Sequence, residues 1–248
     1  MNLEGENYKI YFEDCIKGME RLEDESMDLI IADPPFGLAY DGKRKGNYNR
    51  NPDNVVEGYQ EAPLDYMKFS IDWMGHAKRV LKKHGTMYVF SSWNKFWDVL
   101  YAISYLGFTH HSQLTWSRTF PTYKRWNWVD SFYQIFMLLK YKAPRTGKPS
   151  HTFNKVLTEN KTTGKLRHYP RNDLNFQEVY EKGKLKNGTK LPNTLIEHLI
   201  LTSSNEGDTI LDPFLGSGTT VVEAVRHKRK FIGFEINPNT KPIIVSNL

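Results

Sequence analysis

The sequence predicts an α/β protein built on a doubly wound, mostly parallel, seven-stranded sheet. Three observations point there. Seven strand-like runs alternate with stretches of helical period along most of the chain. Runs such as LIIA (29–32) and ILD (210–212) suit strands covered on both faces. Each of those two leads straight into a turn rich in proline or glycine, as strands do where a parallel sheet presents a ligand edge.

The elements follow in order. KIYF (9–12) reads as a strand and CIKGMERL (15–22) as a helix, followed by the strand DLIIA (28–32). Residues 37–63 carry Gly, Asn, basic residues and two prolines without a steady period, so a long mobile loop is expected there, of a length that is usually functional or disordered. LDYMKFSIDWMGHAKRVL (64–81) repeats apolar residues at three and four and should be a helix closed by His84-Gly85. TMYVFSS (86–92) is a strand and KFWDVLYAISYL (95–106) a helix. FTHHSQLTW (108–116) and SFYQIFMLLKY (131–141) are strands in the β-branched and aromatic style. After an irregular Gly/Lys/Asn-rich segment come the helix LPNTLIEHLILTSS (191–204), the strand TILDPF (209–214), the helix TTVVEAVRHK (219–228) and the strand KFIGFEI (230–236).

At 248 residues the chain is read as one large domain with an insertion: residues 1–140, an insertion at 141–190, and a closing half at 191–248. No apolar run approaches the roughly 18 residues of a membrane span, and the polar opening MNLEGENYK lacks the apolar core of a signal peptide. Neither membrane nor leader is therefore expected. Cys15, the single cysteine, has no disulfide partner within the chain, and no Cys/His spacing suggests a metal site. A reducing cytoplasm and no metal are the expectation.

The net charge of +6 is unevenly spread: Lys140 to Lys190 holds 13 Lys and Arg against 4 Asp and Glu, whereas the rest of the chain is net negative. A local basic segment suits a phosphate backbone, where affinity comes from charge neutralisation and counterion release; a solvated loop would have the same composition.

Two turns carry the chemistry. In LIIADPPFG (29–37) an apolar strand ends in Asp33, two prolines and Phe36. In ILDPFLGSGTT (210–220) a strand ends in Asp212, and a glycine turn opens a helix. Gly216 and Gly218 let a backbone approach a ligand closely. Glu235, seventeen residues past Gly218, ends the next strand at about the separation where an acid meets ribose hydroxyls in nucleotide folds. GSGTTV is not a phosphate-cradling loop: no Gly-Lys-Ser/Thr follows, and Val221 occupies the place of a third glycine. A nucleoside-containing ligand is the economical reading, although a GxG turn alone also fits an ordinary strand–helix junction.

DPPF (33–36) together with DPFLGSGTT (212–220) resembles the amino-group DNA methyltransferases that use S-adenosylmethionine. The motif order, catalytic before cofactor, is similar to the permuted beta group of that family. The resemblance spans nearly the whole chain, since YFEDC, LPNTLIEHLILTSSNEGD and FIGFEINP also fit. It implies a class I methyltransferase-like sheet. Residues 1–140 would be the catalytic half, 141–190 a target-recognition insertion and 191–248 the cofactor half. It departs at NGTKLP (187–192), where only Thr189 and Pro192 match the family's run, and at the end, where the helix after Asn237-Pro238 should be short or absent.

The resemblance further implies cofactor contacts from Asp14 and Cys15 near adenine and from Asp212, Pro213, Phe214, Gly216, Ser217, Gly218 and Thr219 near the methionine portion. Glu235 with Asn237 would lie at the ribose, with Asp33, Thr189 and Pro192 closing the pocket. Catalysis falls to Asp33, Pro34, Pro35 and Phe36. If the Asp33 carboxylate and the Pro34 carbonyl each accept an N–H of a base amine, its lone pair is freed for the methyl group. The prolines stiffen the turn, and Phe36 stacks on a base flipped out of the duplex. Lys43, Arg44, Lys45 and Arg50 after the motif, Arg118, Lys124 and Arg125 in TWSRTFPTYKRWNW (115–128), and Lys165, Arg167 and Arg171 in the insertion are the candidate DNA contacts. The expected reaction is adenine N6 methylation of double-stranded DNA. Cytosine N4 methylation, a noncatalytic nucleic-acid-binding module, and methylation of a protein or RNA amide are the alternatives. A homodimer and a cognate restriction endonuclease stay open as partners.

Overall fold

The computed structural model describes residues 2–37, 56–122, 125–126, 128–142, 150–154, 156, 158–159, 166–167, 170–177 and 190–248; along 118–122, 158–159 and 166–167 only the backbone is described. The chain opens with a hairpin, β1 (Leu3–Gly5) and β2 (Tyr8–Tyr11), and continues through α1 (Cys15–Glu20), β3 (Met27–Ala32), α2 (Tyr66–Val80), β4 (Leu81–Ser91), α3 (Phe96–Tyr105), β5 (Thr109–Thr122) and β6 (Asp130–Leu139). Three two-residue strands follow, β7 (Thr158–Glu159), β8 (Leu166–Arg167) and β9 (Asp173–Leu174). The closing half is α4 (Asn193–Ser203), β10 (Thr209–Asp212), α5 (Thr219–Arg226), β11 (Lys230–Phe234) and α6 (Lys241–Asn247).

Among the described residues one sheet runs β1-β2-β11-β10-β3-β4-β6-β5-β9. Its middle seven strands are those read from the sequence, and β1 and β9 extend the two edges. From β2 to β4 every pairing is parallel. β6 lies antiparallel between β4 and β5. Helices cover both faces, and successive residues of the central strands divide between two cores. Ile30 and Ala32 of β3, Met87 and Val89 of β4, and Leu211 of β10 pack with α1, α2 and α3. Leu29, Ile31, Tyr88, Phe90 and Ile210 pack with α4, α5 and α6. All six residues of β3 are buried, which is why that strand reads as an apolar run without alternation.

Three local features depart from the sequence reading. The opening β1 was missed: Gly5 pairs with Tyr8 around a two-residue turn, and a Cβ on Gly5 would lie 2.3 Å from the Tyr8 ring, so the glycine is what admits that ring. The helix expected to close at His84-Gly85 ends at Val80. Leu81 is already extended and donates its N–H to Ala77 O. Met27 pairs with Leu81 and Leu29 with Thr86, so the intervening residues bulge out of β4. The Asp28 carboxylate, 7% exposed, fills that irregularity by accepting from Lys82 Nζ (2.8 and 2.7 Å) and from the Thr209 N–H (3.0 Å). β5 runs on to Thr122, beyond the expected Trp116. The terminal helix, expected to be short or absent, is short, with seven residues.

The described residues between β6 and α4 join the fold at defined points. β9 pairs with β5 in parallel through Thr115–Asp173 and Trp116–Leu174. Asn154 Nδ2 donates to Leu201 O (3.0 Å) and Ser204 O (2.9 Å), covering carbonyls that the end of α4 leaves without partners. Not all of the charge between Lys140 and Lys190 faces solvent: Lys140, 7% exposed, donates to Leu81 O (2.8 Å) and pairs with Glu25 (3.2 Å).

Gly18 lies inside α1, where glycine costs about 1 kcal/mol relative to alanine. A Cβ there would sit 2.1 Å from the Phe234 ring, which stacks at 5.7 Å on Tyr11. Gly18→Ala should therefore destabilise the fold by about 1–3 kcal/mol despite its better helix propensity. Urea unfolding checks this, and an unchanged or higher midpoint would refute it.

Candidate active site

The parallel register of β3, β10 and β11 sets the site. Leu211 pairs with Ile30, and Asp212 with Gly233, so the turns at 33–37, 212–218 and 234–237 leave the same edge of three adjacent strands. The Asp33 and Asp212 turns, about 180 residues apart in sequence, are thereby neighbours, with strands about 4.8 Å apart.

The Asp212 turn is wired from within. Asp212 Oδ1 accepts the Phe214 N–H (2.9 Å) and Oδ2 the Thr220 hydroxyl (2.6 Å). Burial pushes its carboxyl up to about 6, while those two hydrogen bonds act against the shift. Gly216 and Gly218 have φ of 56° and 88°, the left-handed region that glycine enters without strain. Pro213 and Ser217 are buried in this turn. Thr219, at the start of α5, donates to Leu191 O (3.2 Å), beside the buried Pro192 that precedes α4. The Phe214 ring meets Trp73 edge-on at 5.2 Å.

Glu235 bridges two turns: Oε2 accepts the Gly216 N–H (2.7 Å) and Oε1 the Asn237 N–H (2.8 Å). Burial raises its carboxyl to about 7; the two N–H donors lower it, and the neighbouring Asp212 charge adds to the rise. Asn237 Nδ2 donates to Glu57 O (2.9 Å), which docks the segment after residue 55 here. Asp14 caps α1 through the N–H groups of Ile16 (3.1 Å) and Lys17 (3.2 Å). The Cys15 thiol is buried, and that burial, then the Asp14 charge, drives its pKa upward, so it is a neutral packing group.

On the other side of the crevice, Pro34 is buried while Asp33, Pro35 and Phe36 are partly exposed. Phe36 lies 5.7 Å from Tyr133, and Tyr133 stacks at 5.3 Å on Trp116, whose Nε1 donates to Phe176 O (2.8 Å). This aromatic row on the α4–α6 face was hidden in strands read only as aromatic-rich. Glu61, inside the stretch read as an open loop, accepts the Gly37 N–H (3.0 Å). Tyr66, read as an ordinary apolar helix position, is 2% exposed against this turn.

The basic candidates are less gathered. Lys43, Arg44, Lys45, Arg50, Lys124, Lys165 and Thr189 lie outside the described residues. Arg118 and Arg167 are placed by backbone in β5 and β8. Arg125 is exposed at the turn after β5, with Cζ 5.2 Å from the Trp126 ring centre. Arg171 makes a two-pronged contact with Asp173 (2.5 and 2.5 Å), so its charge is already shared. Away from the crevice, α4 and α5 bring one oxygen each of Glu197 and Glu223 and the His227 ring within 4.8 Å of one another, a donor set that linear spacing did not disclose.

Residues 27–246 match the family model described as DNA methylase. The chain is 34% identical over 234 residues to the type II methyltransferase M.HpaI of Haemophilus parainfluenzae, covering 90% of this chain and 68% of that one. It is 31% identical to the DNA adenine methyltransferase YhdJ of Escherichia coli (strain K12), covering 90% and 76%. Among solved structures it is similar to PvuII DNA methyltransferase (cytosine-N4-specific), with a TM-score of 0.72 at 19% identity over 98% of this chain and 86% of that one. The M1.HpyAVI–SAM complex matches with a TM-score of 0.64 at 21% identity over 97% and 98%.

The Glu235 carboxyl holds its proton more tightly folded than unfolded, so this group favours the folded state increasingly as pH falls through about 7 toward the ordinary glutamate value. The urea midpoint of the wild type, relative to Glu235→Gln, should rise between pH 8 and pH 5. A difference that stays flat across that range would contradict the assignment.

Proposed function

Because the chain belongs to the DNA methylase family, whose model covers residues 27–246, we propose that it methylates adenine N6 in double-stranded DNA at the Asp33 turn, using S-adenosylmethionine. The single observation that carries this reading is the convergence of the Asp33 and Asp212 turns on one edge of adjacent parallel strands. The residues present suit that cofactor. Glu235 has acceptor capacity beyond its two backbone donors for ribose hydroxyls. Gly216 and Gly218 leave two positions of the turn without side chains, and Asp14 and the buried Cys15 follow the neighbouring strand β2. Bound there, S-adenosylmethionine supplies a methyl group made electrophilic by its sulfonium.

The chain's own part is to make a poor nucleophile competent. The amine lone pair of adenine is delocalised into the ring. Acceptors at the Asp33 carboxylate and the Pro34 carbonyl, each taking one N–H, draw the nitrogen toward pyramidal geometry and aim its lone pair. Asp33 is also the group positioned to take the proton the amine loses. Pro34 and Pro35 fix φ on both sides of that carbonyl, so little reorganisation remains at reaction. Positioning of this kind is worth roughly 7–11 kcal/mol. Phe36, against Tyr133, offers a stacking face worth about 1–3 kcal/mol to an extruded base.

Adenine is favoured by the acid at position 33 and by kinship with a relative named as an adenine methyltransferase. Cytosine N4 is the second reading, because its amine presents the same two N–H groups. Residues 141–190 act as target-recognition region in this account. Arg118, Arg125 and Arg167, with Lys43, Arg44, Lys45, Arg50, Lys124 and Lys165, meet the phosphates; Arg171 would first exchange Asp173 for DNA. No described helix is long and apolar enough to cross a membrane; a chromosomal substrate would keep the protein at cytoplasmic DNA. A cognate endonuclease and a homodimer are compatible partners.

Incubation of unmethylated duplex DNA with labelled S-adenosylmethionine, followed by nucleoside analysis, should yield N6-methyladenine. Labelled N4-methylcytosine would select the second reading, and cofactor binding without transfer would overturn both. Asp33→Ala should lower transfer by about 10²–10⁴-fold with cofactor affinity nearly unchanged; full turnover in that variant would remove Asp33 from the mechanism.

A further inference from the structure

Between α4 and α5, away from the crevice, three donor groups converge that the mechanism above does not use. Glu223 and His227 stand four residues apart on α5 and so share one face of it, and Glu197 reaches them from α4. His227 Nε2 lies 2.8 Å from Glu197 Oε1 and 3.7 Å from Glu223 Oε2, and one ligand atom from each of the three falls within 4.8 Å of the others. Glu223 is 1% exposed. Its Oε1 accepts from Asn193 Nδ2 (2.6 Å), whereas Oε2, on the side of the His227 ring, has no hydrogen-bond partner among the described residues. Arg226 Nη1 is 3.6 Å from that oxygen, too far for a hydrogen bond, on a side chain that is 66% exposed.

A carboxylate oxygen buried without a donor is costly, and a cation relieves it. The neighbours define which cation. An imidazole nitrogen with two carboxylates is a donor set for zinc and its first-row relatives, whereas magnesium and calcium prefer oxygen alone. Zinc bonds to such groups are about 2.0–2.2 Å long, which sets neighbouring donors about 3–3.5 Å apart. The separations of 2.8 and 3.7 Å bracket that spacing. Asn193 steadies Glu223 through the other oxygen, the support from behind that metal-binding carboxylates commonly have. The Glu197 and His227 side chains are 30% and 21% exposed, so an ion arrives from solvent and meets Glu223 on its buried side.

We propose that Glu197, Glu223 and His227 bind one divalent ion of the zinc class, which ties α4 to α5. The ion takes the place of the proton on His227 Nε2, which leaves to solvent, and of the contact with Arg226, which swings outward. The site needs no residue of the crevice and is independent of the reaction there. Calorimetric titration of the chelator-treated full chain with zinc chloride should show one equivalent bound with micromolar affinity or tighter, and the thermal unfolding midpoint should rise with zinc concentration. Glu197 and His227 are the ligands to change, since both are partly exposed and their loss leaves no hole in the core. Glu197→Gln and His227→Gln should each weaken binding about a hundredfold or more, and Asn193→Ala about 10–100-fold. Magnesium should bind at least about a hundredfold more weakly than zinc. Affinity unchanged in both ligand variants would put the ion on other histidines and overturn the site, as would a wild type that takes up no zinc. Equal affinity for magnesium would overturn the class of ion.

Discussion

The pairing of β10 between β3 and β11 is the constraint on which everything else in this molecule depends. Parallel strands advance in register, so their carboxyl ends finish at one level, and whatever follows each strand is delivered to a common edge. Three turns that are remote in sequence become one crevice by this means. The buried middle of the sheet makes the register costly to change, because a slip of one residue would exchange the side chains of the two cores. Ile30 and Leu29 have committed partners on opposite faces.

At that edge the carboxylates divide into builders and receivers. Asp212 uses both oxygens to shape its own turn and Asp14 caps a helix, whereas Glu235 and Glu61 tie turns together through one backbone donor or more and still have acceptor capacity. Burial raises Asp212 and Glu235 above ordinary carboxylates, so ionising either of them costs the fold part of its stability. Tyr66 adds a hydroxyl buried without a hydrogen-bond partner among the described residues.

The two faces of the sheet carry separate aromatic groups. Tyr66, Phe69, Phe214 and Trp73 cluster with α2, while Phe36, Tyr133 and Trp116 line up over the face covered by α4 to α6. Asp33 is the first residue after β3 leaves the sheet. The segment around Glu57–Glu61 crosses from Asn237 to Gly37 and so physically joins the turn after β11 to the turn after β3.

Local sequence determined the seven central strands, the helices between them and the two motif turns, because buried strands and amphipathic helices write their burial into residue spacing and because Asp-Pro-Pro-Phe and Gly-Ser-Gly have few conformations open to them. It did not determine the bulge at Lys82–Gly85, where a helix-like pattern yields to the partner strand and the Asp28 carboxylate, nor the edge strands β1 and β9, which are too short to show a period. Only the tertiary structure decided that Asp212 spends its oxygens on Phe214 and Thr220, that Arg171 pairs with Asp173, and that Glu61, Tyr66 and Lys95 meet at Gly37. Those outcomes depend on which side chains the sheet brings within hydrogen-bonding distance across long stretches of chain, and linear spacing carries no record of that.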